Sequence, residues 1–213
     1  MSASELARLG EVAATLRGVR KALALTPTSA NDPYLDDGAP PLLTVQFYFA
    51  DVVALEVALA ENDVLSALGS VATFPNLVGA DTTQQAMLAR VFAVAERRFR
   101  PIPNCTYLVA YEGVAEDPPA WLAYYLAHHP SIMARLPGIR ELEVYTRLDW
   151  CSALPARRVA YLQRNKVVFD NETALRDALN SPVRHELRAD FRNFPRFSGP
   201  VTHYPMETHI LKH

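Results

Sequence analysis

The chain has 213 residues, half of them hydrophobic, and a formal net charge of −2. That length allows one large core or two small ones, and the near-neutral charge excludes the basic footprint of a nucleic-acid-binding protein and a polybasic membrane patch. Two cysteines, Cys105 and Cys151, favour a reduced, cytoplasmic protein over a disulfide scaffold. Charged residues interrupt the N-terminus and the most apolar stretch, so neither a signal peptide nor a membrane span is predicted.

The first half of the chain alternates helical and strand patterns. Apolar residues at helical spacing indicate helices, and runs of β-formers bounded by Pro, Asp and Gly indicate strands and loops. The predicted elements are a helix at 2–17, a strand at 19–26, a loop at 28–40, a strand at 41–49, a helix at 52–62 with a following turn, and a strand at 80–92.

A linker is predicted at residues 94–104, and the second half shows a clearer pattern. Asp117-Pro118-Pro119 begins its first helix, because proline is tolerated in the first helical turn, and Pro137-Gly138 ends it. Pro205 within the last strand predicts a sheet edge or a bulge. The predicted elements are strands at 105–112, 141–149, 158–169 and 200–211, and helices at 118–136, around 174–179 and at 182–192.

The two halves are related by an internal repeat with an offset of 120 residues and no gap. Gly138 falls on Gly18, and Phe194-Pro195 falls on Phe74-Pro75. Such matches in one ungapped register indicate two copies of one unit. A residue that packing requires should stay similar in both copies. A polar residue opposite an apolar counterpart is therefore a functional candidate.

The order of elements in the second half is the βαββαβ arrangement of the ferredoxin-like unit. Its helices cover one face of a four-stranded antiparallel sheet, and the other face needs a second cover. The sequence therefore predicts an α+β fold of two tandem ferredoxin-like units, 1–93 and 105–213, whose antiparallel sheets pack face to face. The first unit lacks a counterpart of strand 105–112. Either it is a degenerate three-stranded unit, or the true start of the chain lies upstream.

The first helix of the second unit carries a histidine where the first unit has a leucine. His129 lies in the apolar stripe that faces the sheet, and its counterpart is Leu9. Leucine satisfies packing, so His129 is a candidate acid/base or ligand-binding group, since imidazole titrates near neutral pH. The alternative is a core histidine bonded to a backbone carbonyl. His128 lies beside an aromatic stripe with Tyr125, which fits either a pocket or packing between units.

The last strand of the second unit carries further polar groups. Alternation places His203 and His209 on one face of the sheet and Tyr204 and Met206 on the other. No Cys/His spacing of a metal site, glycine-rich nucleotide loop or nucleophile elbow is present, so neither a metal nor a cofactor is predicted. Other positions where the second unit replaces an apolar or small residue of the first are Tyr145, His185 and Asp190.

Three segments of the second unit resemble the EthD family. The first is Tyr125-Leu126-Ala127-His128-His129-Pro130 with Leu136-Pro137-Gly138-Ile139 after it. The second is Phe169-Asp170 with the helix that follows to Ser181-Pro182, and the third runs from Phe194-Pro195 to Met206. The resemblance covers about 105–213 and reaches 1–93 only through the repeat. It implies a dimeric α+β barrel, in which two ferredoxin-like units pack their sheets into a barrel, here on one chain.

The resemblance also implies a class of function. Relatives in this barrel group include cofactor-free monooxygenases, polyketide cyclases and muconolactone-type isomerases, so the expected ligand is a small, largely apolar, oxygenated compound. The alternative is a non-catalytic accessory module of the same fold, associating with a copy of itself or a partner, whose histidines are core or interface residues. The expected catalytic residues are His129, His203 and Tyr204, and the expected substrate-binding residues are His128, Tyr125, Tyr145, His185 and Met206.

Overall fold

A computed structural model describes residues 1–30, 32–60, 73–95 and 104–213. Most of the predicted linker and the turn predicted after residue 62 lie outside these ranges. Across the described ranges, no helix has the length and apolar character needed to span a membrane. The helices are α1 (Ala3–Thr15), α2 (Val52–Ala60), α3 (Pro118–Met133), α4 (Glu172–Leu179) and α5 (Pro182–Phe191).

Capping residues set the starts of these helices. Ser2 and Glu5 form a capping box at α1, in which each side chain accepts a hydrogen bond from the backbone N–H of the other. Asp117 caps α3, and Asn171 caps α4 by accepting from the backbone N–H of Ala174 at 2.9 Å. The helix starts predicted at Ser2 and Asp117 are therefore confirmed.

Seven strands form one antiparallel sheet in the order β2-β1-β11-β5-β9-β7-β4. The second unit supplies the four central strands in ferredoxin-like order, and the first unit supplies β1 and β2 at one end and β4 at the other. The predicted α+β class is confirmed, with the addition that edge strands of the two units pair, β1 with β11 and β4 with β7. The strands of this sheet are β1 (Lys21–Pro27), β2 (Thr44–Tyr48), β4 (Met87–Phe92), β5 (Asn104–Tyr111), β7 (Ile139–Arg147), β9 (Gln163–Phe169) and β11 (Val201–Lys212).

Two short two-stranded ladders lie beside this sheet. One is an antiparallel pair of β6 (Val114–Ala115) and β10 (Phe197–Ser198). The other is a parallel pair of β3 (Thr83–Gln84) and β8 (Arg157–Arg158), which joins the first unit to the second.

The sheet curls, so that its two ends approach each other. Tyr48 lies on the edge strand β2, and its hydroxyl is 2.8 Å from the hydroxyl of Tyr145 on β7, the strand next to the opposite edge. The concave face of the sheet, which we call the lumen, thus brings the two units face to face. The helices cover the other face, which we call the convex face. In the described part of the chain, no strand lies between β2 and β4, where the counterpart of β5 is expected.

Alternation along each strand assigns its side chains to one of these faces. In β5, Tyr107 and Tyr111 pack with the helices on the convex face, whereas Leu108 packs with Met206 in the lumen. Pro205 pairs with β5, but the pairing of β11 with β1 begins only at Met206. The proline thus lies where β11 has one neighbouring strand, and the predicted edge position is confirmed.

Two glycines allow close contact between the backbone after β5 and the backbone before β11. A Cβ at Gly113 would lie 1.9 Å from the carbonyl oxygen of Ser198, and Gly199 has a φ of 125°. We expect Gly113→Ala to lower the free energy of unfolding by about 2 kcal/mol, measured by urea denaturation, because the backbone around Ser198 must move to make room for the methyl group.

The control is Gly10→Ala in α1, where the new Cβ would lie 3.9 Å from its nearest atom. This variant should raise the free energy of unfolding by about 0.5–1 kcal/mol, because alanine favours a helix over glycine. Equal stability of both variants would contradict the close contact.

Candidate functional site

His129 lies on α3 and forms a buried pair with Asp190 on α5. Its Nδ1 is 2.7 Å from Oδ2 of Asp190, and both side chains are less than a tenth exposed. The hydroxyl of Tyr124 donates to the other carboxylate oxygen at 3.1 Å. The rings of Tyr125 and Phe194 lie against the imidazole, with centroids at 5.0 and 5.1 Å. The partner of His129 is thus a carboxylate, and not the backbone carbonyl of the alternative prediction.

His203 on β11 forms a second histidine–aspartate pair. Its Nδ1 is 2.9 Å from Oδ2 of Asp37, and its backbone N–H donates to the same oxygen at 2.8 Å. Asp37 belongs to the loop after β1, so the first unit supplies this carboxylate. The loop lies along the part of β11 that β1 does not pair, and the hydroxyl of Tyr204 donates to the carbonyl oxygen of Asp37 at 3.1 Å.

The same loop supplies a second carboxylate, which meets a tyrosine and an arginine. The hydroxyl of Tyr107 donates to Oδ2 of Asp32, and the Tyr107 ring lies 5.7 Å from the ring of His203. Arg184, in the first turn of α5, has Nη2 3.6 Å from the same oxygen of Asp32. Nε of Arg184 is buried without a hydrogen-bond partner in the described part of the chain. We call this set the convex-face cluster; its members are Asp32, Asp37, Tyr107, His129, Arg184, Asp190 and His203.

Both histidines of the cluster are neutral at pH 7. Burial lowers the pKa of His129 below its ordinary value, and the opposing effect of Asp190 is smaller. Burial likewise lowers the pKa of His203 against the effect of Asp37. A carboxylate is a hydrogen-bond acceptor, so each neutral ring must donate from Nδ1 and keep a lone pair on Nε2. Two neutral Nε2 bases with fixed tautomers result.

Aromatic side chains lie next to His129, and two buried polar atoms near them have no hydrogen-bond partner in the described part of the chain. The Trp121 ring stacks on Tyr125 at 5.2 Å and meets Tyr111 edge-on at 5.1 Å. Nε1 of Trp121 and Oε1 of Gln163 are buried and unpaired within the described ranges. A buried donor and a buried acceptor left open beside aromatic rings suit a flat ligand with polar substituents, or ordered water.

The structure brings some of the predicted site residues together and separates others. His129, Tyr125 and His203 lie on the convex face. Tyr204 lies on the lumen face, where it packs with Leu108 and Met206, and only its hydroxyl meets the backbone of Asp37. Four predicted binding residues lie elsewhere. His128 is exposed and stacks on Tyr124, His185 is exposed on α5, and Tyr145 and Met206 point into the lumen.

Several residues of the convex-face cluster have no predicted role. Comparing the copies offers a signal for Arg184, whose counterpart is Val64, and the sequence comparison already singles out Asp190. No comparable signal exists for Asp32 and Asp37, because an aspartate in a Pro- and Gly-rich loop is typical of a solvated turn. Tyr107 has no counterpart in the first copy.

The lumen holds a separate cluster of charged and hydroxyl groups. Nζ of Lys166, which is 1% exposed, lies 2.9 Å from Glu141, 3.0 Å from Glu143 and 3.0 Å from the hydroxyl of Tyr48. Burial opposes charge on Lys166, but its anionic neighbours outweigh this and raise its pKa. Burial also opposes ionisation of Glu143, yet Lys166 and the hydroxyl donors lower its pKa to about 2. Because its members satisfy one another, we interpret this lumen cluster as structural.

A fifth residue extends the lumen cluster toward solvent. Nζ of Lys21 lies 3.4 Å from Oε1 of Glu141 and 5.0 Å from the centre of the Tyr48 ring. Lys21 belongs to the first unit and Glu141 to the second, so the ion pair crosses the lumen between the units.

No group of three or more His, Cys, Asp or Glu side chains within the described ranges could hold a metal ion. The convex-face cluster instead pairs each histidine with its own carboxylate, an arrangement that orients an imidazole for proton transfer.

Comparisons with known proteins bear on the fold. No protein-family model matches the chain, and no curated protein matches it in sequence. A candidate monooxygenase from Fusobacterium nucleatum is similar over 97% of this chain and 86% of that chain, with 10% identity and a TM-score of 0.60. An anthrone oxidase-like protein is similar over 100% of this chain and 90% of that chain, with 13% identity and a TM-score of 0.56. These likenesses confirm the barrel fold.

An EthD family protein from Bacillus halodurans matches 47% of this chain and 97% of that chain, with 14% identity and a TM-score of 0.37. That score is too low to support an argument, so membership of the EthD family stays a prediction.

Proposed function

We propose that this protein binds a small, largely apolar, oxygenated compound on the convex face of its second unit and transfers a proton to or from it without a cofactor. The observation that carries the proposal is the presence of two histidine–aspartate pairs, in which buried His129 and half-buried His203 are each oriented by an aspartate through Nδ1. Both rings lie on the convex face of the second unit, and the proposal assigns both to one ligand.

The protonation state of the histidines favours base chemistry. A general base works best when its pKa lies near or below the working pH, and a neutral Nε2 meets that condition. Removing a proton beside a carbonyl, or from a phenol, requires only such a base and a group that accepts the developing charge. This chemistry fits a site made of side chains alone.

The surroundings of the site favour a flat, ring-containing ligand. Tyr125 and Phe194 place aromatic rings against His129, with Trp121 and Tyr111 packed against Tyr125, and aromatic rings favour offset or edge-on contact with a flat partner. The anthrone oxidase-like neighbour has a similar fold, which makes anthrone a reasonable member of a ligand panel.

The first unit offers no comparable site in its described part. Leu9, the counterpart of His129, is 1% exposed and packs with Ala24 and Phe74 in an apolar cluster. The first unit instead contributes Asp37, which orients His203. The proposal therefore places one site on the chain, built from both units.

The proposal predicts base-catalysed exchange of ligand protons. A thermal-shift panel of anthrone, 2-tetralone, 2-naphthol and aromatic lactones should first identify binders, since a ligand of the folded state raises the melting temperature. With 2-tetralone in D₂O, the protein should accelerate loss of the α-proton NMR signals. His129→Gln and His203→Gln should each slow this exchange about 100-fold or more.

The matched controls are His128→Gln and His185→Gln, which remove exposed imidazoles and should leave the exchange rate unchanged. Binding without exchange would favour the non-catalytic module. Equal loss of exchange in a control variant and in His129→Gln would contradict the assignment of the site.

A further inference from the structure

Arg184 is the member of the convex-face cluster whose bonding is least complete. Its side chain is 12% exposed, and its contact with Asp32 at 3.6 Å is longer than a hydrogen bond. Nε is buried without a partner in the part of the chain that the structure describes. A guanidinium carries five N–H donors in a planar fork, and an unpaired buried donor is costly. The unpaired Nε–H of Arg184 is therefore available to donate a hydrogen bond to a ligand.

The neighbouring carboxylates are already engaged by other groups. Asp32 accepts from the hydroxyl of Tyr107, Asp37 from His203, and Asp190 from His129. Each of these carboxylates therefore has a donor other than Arg184, and within the described ranges none is recorded as accepting a hydrogen bond from its guanidinium. Its field reaches both histidines, because it helps to lower the pKa of each ring. Asp190, the partner of His129, lies on the same helix as Arg184, and Tyr107, which bonds Asp32, has its ring 5.7 Å from the ring of His203. These contacts link Arg184 to both histidine–aspartate pairs.

Resting on the proposed function, we infer that Arg184 holds the carbonyl or phenol oxygen of the ligand and stabilises the oxyanion formed when a histidine Nε2 removes the proton. The C–H or O–H bond breaks, the proton goes to Nε2, and the electron pair ends on the oxygen that faces the guanidinium. No electron acceptor is needed for this step.

Local charge decides between a neutral ligand and a ligand that is already anionic. With both histidines neutral, the cluster contains one positive group, Arg184, and three carboxylates, those of Asp32, Asp37 and Asp190. This excess of negative charge disfavours a carboxylate ligand. During proton transfer, the imidazole gains a positive charge as the oxygen gains a negative one. The ligand class is therefore a neutral aryl ketone or phenol whose charge develops in the site.

The test measures the ionisation of bound 2-naphthol, whose phenolate has a distinct absorbance. In the wild-type protein, bound 2-naphthol should ionise at lower pH than free 2-naphthol, because a histidine Nε2 takes the proton within the site and the guanidinium of Arg184 faces the oxygen that becomes charged. Arg184→Gln should reduce the ionisation constant of bound 2-naphthol about tenfold or more. The control is Arg188→Gln, one turn along α5 on its exposed side, which removes the same charge and should change nothing.

An ionisation constant that is equal in wild type and Arg184→Gln would overturn the inference and leave the proposed function standing. Failure of every compound in the panel to bind would overturn the proposed function and this inference with it. If Arg184→Gln does not fold, Arg184→Lys is measured instead. It keeps the charge without the planar fork and should still weaken the ionisation of the bound phenol, so an unchanged value would again overturn the inference.

Discussion

Replacing His129 with leucine, its counterpart in the first unit, is expected to lower the free energy of unfolding by about 3 kcal/mol at pH 7. The physical reason is Asp190, which is 8% exposed. Once the imidazole is gone, the hydroxyl of Tyr124 is its only side-chain donor within the described part of the chain. The double variant His129→Leu/Asp190→Leu should recover most of that loss, because it removes the stranded carboxylate together with its partner.

Urea denaturation of the three proteins measures this effect, with His128→Leu as the control. His128 is exposed, so its replacement should change the free energy of unfolding by about 0.5 kcal/mol or less. Proton exchange of bound 2-tetralone should stay lost in the double variant even where stability returns. A single variant as stable as wild type would show that the pair contributes nothing to folding.

The pH dependence of stability has a definite sign. Burial holds the pKa of His129 below its ordinary value of 6.5, so the unfolded chain binds this proton more tightly than the folded one. The contribution of the neutral ring to stability is complete above about pH 6.5 and is lost as the pH falls through the folded-state pKa. Stability of the wild type should therefore decrease from pH 7 to pH 5, and the double variant should decrease less.

Lys166→Met is expected to be the most damaging conservative change in the lumen cluster, at about 4 kcal/mol at pH 7. Methionine keeps the volume of the side chain but leaves Glu143, which is 5% exposed, as an unpaired buried anion beside Glu141. Lowering the pH should reduce the penalty, since protonation of Glu143 relieves it. In the wild type, by contrast, the contribution of Glu143 is present above pH 4.5 and is lost as the pH falls toward about 2.

The matched control is Lys21→Met, which removes a 36% exposed amine from the same Glu141 and should cost about 1 kcal/mol or less. Lys166→Met/Glu143→Leu should recover much of the stability lost in the single variant. Chemical denaturation at pH 7 and pH 5 measures all three variants. Equal losses from Lys166→Met and Lys21→Met would mean that burial does not increase the energetic contribution of a lysine to the lumen cluster.

The sequence predicts the secondary structure of the second unit well, because residues that start and stop helices mark the ends of its elements clearly. Asp117-Pro118-Pro119 and Pro137-Gly138 bracket α3, and the pairing of His203 with Val109 confirms the face predicted by alternation. The repeat identifies His129 as unusual, and its position between the sheet and α5 follows from helical spacing. The barrel fold is also predictable from the sequence. The strands of both units are amphipathic, and a barrel buries the face of the sheet that the helices leave uncovered.

Partners that come from distant parts of the chain were not predictable in this way. Asp37 reaches His203 across 166 residues of sequence, through a loop whose conformation no periodicity determines. The sequence predicts a functional role for Tyr145, Tyr204 and Met206, but their side chains lie on the lumen face, on the opposite side of the sheet from His129. Neighbouring residues of a strand point to opposite faces of the sheet. The sequence does not indicate which of the two faces carries the functional site.

Lys21 and Glu141 occupy the same position in the two copies, 120 residues apart, and their side chains meet. Contact between equivalent positions means that both lie beside the pseudo-two-fold axis of the chain. A symmetric homodimer would have to place such a residue against its own copy, amine facing amine or carboxylate facing carboxylate. Covalent linkage of the units removes that constraint, so the axis can carry opposite charges. At this one position, each half of the barrel attracts the other half and would repel its own copy.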